Sequence, residues 1–251
     1  MRSADTAPAR TVDDALTVLE AVGTTRGATL SELARATGLT TSKTFRLLAV
    51  LEARGYLERR AGKAYDLGPK LLHLGHRAAR GHALVRAAAP VLDRLTERSG
   101  ESTLLAVRVG LERVIIDSRD GRYGPQMAWP EDARLPLHSG PLGLCLLAYA
   151  PPDVLDLVVA TGLTRFTSHT VTTRDALDDA LAEVRREQVF VAKHSYVEGV
   201  YSIGSPILGS ERRAVAAIAV VGDVARLDAA TEAALRSAVK EAASAVAGYL
   251  T

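Results

Sequence analysis

Residues 41–46 combine three short hydroxyl side chains, one aromatic ring and two cations at the start of a predicted helix. Hydroxyl groups and an arginine fork can hydrogen-bond to base edges, and an aromatic ring can pack on a thymine methyl group. This combination favours contact with the major groove of double-stranded DNA. The residues that we expect to make the contact are Thr41, Ser42, Lys43, Thr44, Phe45 and Arg46.

Three further cations follow, where the pattern predicts a β-hairpin. Residues 56–60 and 63–67 have strand character and flank a turn at Ala61-Gly62. Arg59, Arg60 and Lys63 would then lie together at the hairpin tip, where they could bind phosphate groups. A basic hairpin directly after a candidate recognition helix is the arrangement of a winged helix.

The elements that must position these side chains are two short helices joined by a turn within residues 29–54. Thr29 and Glu32 have the spacing of a capping box, and Gly38 can end the first helix in the left-handed conformation. An earlier amphipathic helix, which we predict to be capped by Thr11, completes the domain. An ordinary helical hairpin with a solvated outer face is the alternative, and the basic hairpin argues against it. The face of the second helix that should pack inward consists of Thr44, Leu47, Leu48 and Leu51.

The segment TLSELARATGLTTSKTFRLLAVLEARGYLER resembles, without a gap, the winged-helix signature of the IclR-type transcriptional regulators. A second similarity lies later in the chain, in RLPLHSGPLGLCLLA and EGVYSIGSPI. Together the two matches span the chain from about Val12 onward. The resemblance implies a GAF-like effector domain after the winged helix, and tetramers built as dimers of dimers.

The charge distribution agrees with two domains of different roles. Residues 1–80 hold 13 Lys and Arg against 8 Asp and Glu, whereas the remaining 171 residues hold 18 against 21. A net +5 followed by a net −3 is expected if only the first part binds nucleic acid. We predict a mainly α winged helix-turn-helix domain at 1–68, a linker helix at 69–82 and an α+β domain with an antiparallel sheet at 83–251.

Composition and motifs exclude several other classes of protein. Cys145 is the only cysteine, so no intrachain disulfide can form, and we expect a cytoplasmic protein with no membrane partner. No nucleophile elbow, phosphate-binding glycine loop or H-E-x-x-H motif is present, which argues against the rival reading as a small hydrolase. His73, His76 and His82 lack an acidic or cysteine partner nearby, so we predict no metal and no cofactor.

A small molecule is expected at residues 137–143, which lead into a helix whose free N–H groups could bind an anion. The resemblance identifies this loop as the family's ligand-binding loop. Pro141 removes one donor, and Leu144 stands where relatives usually carry lysine. Apolar residues also replace polar ones on the strands, so we predict a rather apolar effector, with Lys193 and His194 left to anchor a charge. The predicted ligand-binding residues are Met127, Trp129, Ser139, Gly140, Leu142, Ala192, Ser202, Ala219 and Val221.

The function that these observations favour is a metabolite-responsive transcription factor, a repressor rather than an activator. One short helix contacts too few base pairs for useful specificity, so we expect a homodimer or a tetramer on a palindromic operator. Two alternatives stay open, namely a pocket that binds nothing and a DNA-binding scaffold that ignores metabolites.

Overall fold

The computed structural model describes residues 7–25, 27–123 and 134–250, which belong to two compact units that divide between Gly81 and His82. The linker helix therefore belongs to the first unit. The described elements of this unit are α1 (Ala7–Thr24), β1 (Ala28–Thr29), α2 (Leu30–Thr37), α3 (Thr41–Ala53), β2 (Leu57–Arg59), β3 (Ala64–Leu67) and α4 (Pro69–Gly81).

The first unit is held together by one apolar core to which its first three helices and its small sheet contribute. Val18 of α1, Leu33 of α2 and Leu48 of α3 are almost completely buried there, beside Leu57 and Tyr65 of the hairpin. These positions recur at helical spacing along each helix, so the packing of the three helices follows from the amphipathic pattern.

Local signals in the sequence set most of the helix ends in this unit. The Glu32 carboxylate accepts hydrogen bonds from the backbone N–H and the hydroxyl of Thr29, each at 2.8 Å. Gly38 ends α2 with φ of 68°, and the Thr40 side chain accepts the N–H of Lys43 to begin α3. The predicted start of α1 is wrong, because that helix begins at Ala7 and includes the predicted cap.

The predicted hairpin is confirmed as a three-stranded antiparallel sheet in the order β1-β3-β2. Arg59 pairs with Tyr65 in its register, and Gly62 turns the chain with φ of 83°. Lys63 follows with φ of 64°, so two consecutive left-handed residues form the tip. A left-handed backbone is easily adopted by glycine, which explains the residue type at position 62.

The linker helix α4 has no buried residue. Leu72 is 78% exposed and Leu74 is also exposed, so this helix keeps apolar side chains that no described residue covers. His73 and His76 lie exposed on the same helix.

The second unit is an α+β domain, as the sequence predicts. Its antiparallel sheet has the strand order β6-β5-β4-β9-β8-β7, with α5 and α9 on one face and α6 on the other. Its described elements are α5 (Ala83–Ser99), β4 (Ser102–Val109), β5 (Glu112–Arg119), β6 (Arg134–Pro136), α6 (Gly140–Leu147), α7 (Pro152–Ala160), α8 (Arg174–Glu187), β7 (Phe190–Lys193), β8 (Val200–Leu208), β9 (Ala214–Asp223) and α9 (Ala229–Gly248).

The main core of this unit lies between the sheet and helices α5 and α9. Leu92 of α5 and Val239 of α9 pack there against Leu105, Ile203 and Ile218 of the sheet. Helix α5 runs through Pro90 without a break. None of the described helices is both long and apolar enough to cross a membrane.

Candidate DNA-binding surface and effector site

The outer face of α3 presents the side chains that base contact would need. Thr41, Ser42, Phe45 and Arg46 are all exposed, and Phe45 keeps 52% of its surface accessible. Its exposure removes the possibility that the ring belongs to the core. Within the described chain Arg46 forms no ion pair, so its five N–H donors are available to a ligand.

The prediction that Thr44 contacts DNA is contradicted by the structure. Its side chain has no exposed surface, and its hydroxyl donates to the carbonyl oxygen of Thr40 at 3.1 Å. The residue shares the inward stripe of α3 with Leu47 and Leu48, so helical geometry points it into the core. Thr44 therefore cannot touch a base, and its inclusion among the DNA contacts is wrong.

Lys43 is exposed only in part and forms an ion pair with Asp14 of α1. The pair links the start of α3 to the first helix. A contact between Lys43 and DNA would have to compete with this carboxylate, so the cation is a weaker candidate than Arg46.

The three cations of the hairpin differ in how far they are neutralised. Arg60 binds two acids of its own hairpin, with Nε 2.5 Å from Asp66 Oδ2 and Nη2 3.7 Å from Glu58 Oε1. The guanidinium of Arg59 lies over the ring of Tyr65, 5.7 Å from its centroid. Lys63 is exposed at the tip, and in the part of the chain that the structure describes neither it nor Arg59 forms an ion pair.

The predicted effector loop lies directly against the sheet. All eight residues of α6 are buried. A Cβ atom on Gly143 would come within 2.5 Å of the carbonyl oxygen of Leu137, and one on Gly204 of β8 would come within 2.9 Å of Pro141 Cβ. Gly143 thus allows α6 to pack on the loop that precedes it, and Gly204 allows the start of α6 to approach the sheet closely.

The strand residues that the sequence assigns to the effector site share the sheet face covered by α6. Residues opposite each other in antiparallel strands point to the same side. Ala192 pairs with Ser202 and Ser202 with Val221, while Ala219 pairs with Gly204, which faces Pro141. The structure therefore brings four of the predicted strand positions together with the loop. The predictions for Met127 and Trp129 lie outside the described residues.

The two residues proposed to anchor a charge are engaged elsewhere. Lys193 forms an ion pair with Glu232 of α9 at 2.8 Å, and α9 covers the opposite face of the sheet. The prediction for Lys193 is therefore wrong. His194 is held by its own loop, because its Nδ1 accepts the N–H of Gly199 at 2.9 Å.

A buried cation that the sequence did not reveal lies beside the loop instead. Arg113 of β5 is 5% exposed, and its Nη1 donates to the carbonyl oxygen of Ser139 at 2.8 Å. Its Nη2 lies 4.0 Å from the position that a Cβ atom on Gly140 would occupy, and Ser195 Oγ lies 3.9 Å from that position. Burial lowers the pKa of Arg113 to about 10.

Aromatic side chains adjoin the same region. The ring of His138 stacks on Phe166, and Phe166 meets Tyr196 with 4.7 Å between centroids. His138 Nε2 donates to the carbonyl oxygen of Thr164 at 3.0 Å, since a carbonyl oxygen can only accept. Burial lowers the pKa of His138, the bond to Thr164 opposes this effect, and the charge of Arg113 adds to it.

Both parts of the chain match known family profiles. The IclR helix-turn-helix domain matches residues 11–61, and the C-terminal domain of the bacterial transcriptional regulator IclR matches residues 76–248. The HTH-type transcriptional regulator BhcR of Paracoccus denitrificans (strain Pd 1222) is 31% identical over 241 residues, which cover 95% of this chain and 86% of that protein.

Two further relatives extend the comparison. The HTH-type transcriptional repressor AllR of Salmonella paratyphi A (strain ATCC 9150 / SARB42) is 30% identical over 200 residues, covering 79% of this chain and 74% of that one. The crystal structure of an IclR homologue complexed with 4-hydroxybenzoate, from Microbacterium hydrocarbonoxydans, is 30% identical. Its TM-score is 0.79, and the match covers 96% of this chain and 98% of that chain.

A winged helix with an exposed cationic recognition helix, followed by an α+β domain, defines a DNA-binding transcriptional regulator rather than an enzyme. The chain belongs to the IclR family of transcriptional regulators.

Proposed function

We propose that this protein is a transcriptional repressor that binds a palindromic operator as a homo-oligomer and responds to a small effector. The proposal rests on one observation, the exposed side chains at the start of α3 next to a hairpin with Lys63 at its tip. The exposed residues of α3 are Thr41, Ser42, Phe45 and Arg46. Hydrogen-bond donors on a helix suit base edges, and cations on a flanking hairpin suit phosphates. Such a protein acts where the genome lies, so we place it in the cytoplasm.

The domain limits and the contact residues form part of the proposal. The winged helix would occupy 1–68, the linker helix 69–82 and the effector domain 83–251. Arg46 would contact a base, while Arg59 and Lys63 would contact phosphates, because these three cations lack an intramolecular counter-ion in the described chain. Arg60 would contribute less, since Asp66 already binds it.

The repressor role is supported by the similarity to a protein named as the transcriptional repressor AllR. The effector role is supported by a related structure that is a complex with 4-hydroxybenzoate. The effector would bind at the loop before α6 and on the sheet face that this loop adjoins, at Ser139, Gly140, Leu142, Ala192, Ser202, Ala219 and Val221. An effector that prefers one arrangement of the two domains would change the affinity for the operator.

A homo-oligomer is supported by apolar side chains that two helices of the first unit leave exposed. Val12 and Leu16 lie one turn apart on α1, and Leu72 and Leu74 lie on α4. Exposed apolar side chains on adjoining helical turns commonly mark interaction surfaces, as for the pair on α1, and the leucines of α4 add further apolar surface. Two copies related by a two-fold axis would present two recognition helices to the two halves of a palindrome.

The test is a DNA titration with the full-length protein and the region upstream of its own gene. We expect saturable, sequence-selective binding that Arg46→Ala weakens strongly and that Arg186→Ala, an exposed arginine of α8 in the second unit, leaves unchanged. The same titration is then repeated in the presence of small carboxylic acids. A metabolite sensor would change its affinity for DNA when its effector is added, whereas a scaffold would bind DNA identically with every acid. Absence of salt-sensitive binding to any duplex would refute the proposal.

A further inference from the structure

An acidic side chain lies at the edge of the contact between α1 and α3. Asp14 precedes the buried Val18 by one helical turn, so it lies on the face of α1 that packs into the core of the first unit. Lys43 likewise precedes the buried Leu47 by one turn of α3. Asp14 Oδ2 and Lys43 Nζ form an ion pair, in which the two side chains are 13% and 31% exposed. The pair joins the two helices and is largely withdrawn from solvent.

The position of Lys43 explains why a carboxylate is favourable there. Lys43 belongs to the first turn of α3, where free backbone N–H groups create a positive potential, and residues 41–44 contain no acid. The N–H of Lys43 donates to the hydroxyl of Thr40 at 3.3 Å, which fixes the backbone from which the lysine side chain departs. Asp14 thus supplies, from another helix, the negative charge that the start of α3 lacks.

The same ammonium group lies where a phosphate of DNA could otherwise bind it. Ser42 and Arg46, which flank Lys43 on α3, are exposed on the surface that we propose to face the duplex. A phosphate contact carries no sequence information, so a free lysine at this point would raise the affinity for every duplex. A carboxylate that already holds the ammonium competes with the phosphates for it.

We propose that Asp14 limits the binding of the protein to non-operator DNA, because it keeps Lys43 from neutralising a phosphate. The inference rests on the proposed function as a DNA-binding regulator and adds to it a residue of α1 that contacts no base. Arg46 keeps its role at a base edge, since it forms no ion pair within the described chain. A genome offers far more non-operator sites than operators, so a lower sequence-independent affinity leaves more of the protein for the operator.

The first experiment titrates the full-length protein with a synthetic duplex of scrambled sequence at several salt concentrations. Asp14→Asn keeps the shape of the side chain and removes its charge, so Lys43 becomes free to bind a phosphate. We expect the affinity for the scrambled duplex to rise about threefold or more, and the plot of log affinity against log salt to become steeper by about one unit. An affinity and a slope equal to those of the wild type would overturn the proposal.

The matched control is Asp13→Asn, which removes the same charge from the preceding residue of the same helix. Asp13 is exposed and forms no ion pair with another described residue, and Lys43 remains bound to Asp14 in this variant. Its slope should equal that of the wild type. An equally steep slope in Asp13→Asn would mean that any acid of α1 repels DNA, and it would contradict the specific role of Asp14.

The second experiment assigns the gain to Lys43. A double variant that combines Asp14→Asn with Lys43→Met should lose the gain in affinity and in slope, because the freed ammonium group produces both. The opposite case is that Lys43 leaves Asp14 and binds a phosphate in the wild-type complex. Lys43→Met alone should then flatten the slope by about one unit and Asp14→Asn should leave it unchanged, which would overturn the inference.

A purely structural role for Asp14 gives a different result. If the ion pair only fastens α1 to α3, Asp14→Asn should lower the melting temperature and weaken binding to operator and scrambled duplex alike, with no steeper slope. The outcome also separates this inference from the proposed function. A wild type without salt-sensitive binding to any duplex would refute the proposed function, whereas a salt-sensitive wild type whose slope Asp14→Asn leaves unchanged would refute the role of Asp14 alone.

Discussion

Single cations of the winged helix should contribute to DNA binding in two distinguishable ways. Lys63 lies exposed at the hairpin tip without an ion pair in the described chain, so Lys63→Ala should weaken binding to all sequences alike. It should also flatten the dependence of log affinity on log salt by about one unit. The control is Arg60→Ala, which should have a smaller effect because Asp66 and Glu58 already neutralise Arg60. Titrations at several salt concentrations measure both variants, and a sequence-selective loss in Lys63→Ala would contradict the phosphate role.

Arg46 should behave differently, because its donors can reach a base edge. Arg46→Ala should cost about 1–3 kcal/mol at one position of the operator and should relax specificity there. Binding to a set of operators with single base substitutions measures this directly. A uniform loss across the whole set would make Arg46 a phosphate contact.

Cys145 should be chemically inert in the folded protein. It is buried in α6, and burial raises the pKa of its thiol, so that the reactive thiolate does not form near neutral pH. A thiol reagent at pH 8 should therefore react with the single cysteine only after denaturation. Ser237→Cys, at an exposed position of α9, should react at once and shows that the reagent is active. Rapid modification of the native wild type would contradict the buried position.

The residues that escaped the sequence analysis did so for physical reasons. Thr44 stands among polar neighbours, and only the packing of α3 decides that its hydroxyl bonds back to Thr40. Arg113 lies on a strand next to Glu112, where a cation is usually solvated, and its burial results from β6 and the Ser139 loop, which are distant in sequence. Contacts over such distances leave no local pattern.

At the scale of elements, the loop before α6 should depend on a glycine that permits close approach. A Cβ atom on Gly143 would lie 2.5 Å from the backbone oxygen of Leu137, and rigid backbone atoms cannot yield cheaply. Gly143→Ala should therefore lower the melting temperature and abolish effector binding. Gly248→Ala in α9, where the new methyl group would meet no described atom within 4 Å beyond its own turn of helix, should not lower the stability. Differential scanning fluorimetry compares the two, and similar stabilities would contradict the contact.

Elements that carry strong local signals were predicted well, and the exceptions have identifiable causes. The side chains of Thr173 and Asp228 cap the starts of α8 and α9, so local sequence explains where both helices begin. The short strand β6 was not predicted, because three residues paired only with β5 have no periodicity to detect. Helix α5 continued through Pro90 because its packing against α9 and the sheet outweighs one missing backbone donor.

At the scale of the whole molecule, the exposed Leu72 of α4 should help to determine the oligomeric state. Leu72 is 78% exposed, and burial against a second copy would remove apolar surface from water. Leu72→Glu should therefore shift the protein towards monomers in light scattering at fixed concentration. The affinity for the operator should fall as monomers form. Each monomer would bring only one recognition helix, so the two half-sites would be bound separately. The control is Leu157→Glu, which places the same charge on an exposed leucine of α7 in the second unit and should leave mass and affinity unchanged. A Leu72→Glu protein with the mass and operator affinity of the wild type would show that oligomers form through another surface, and α4 would then have to bury its apolar side in some other way.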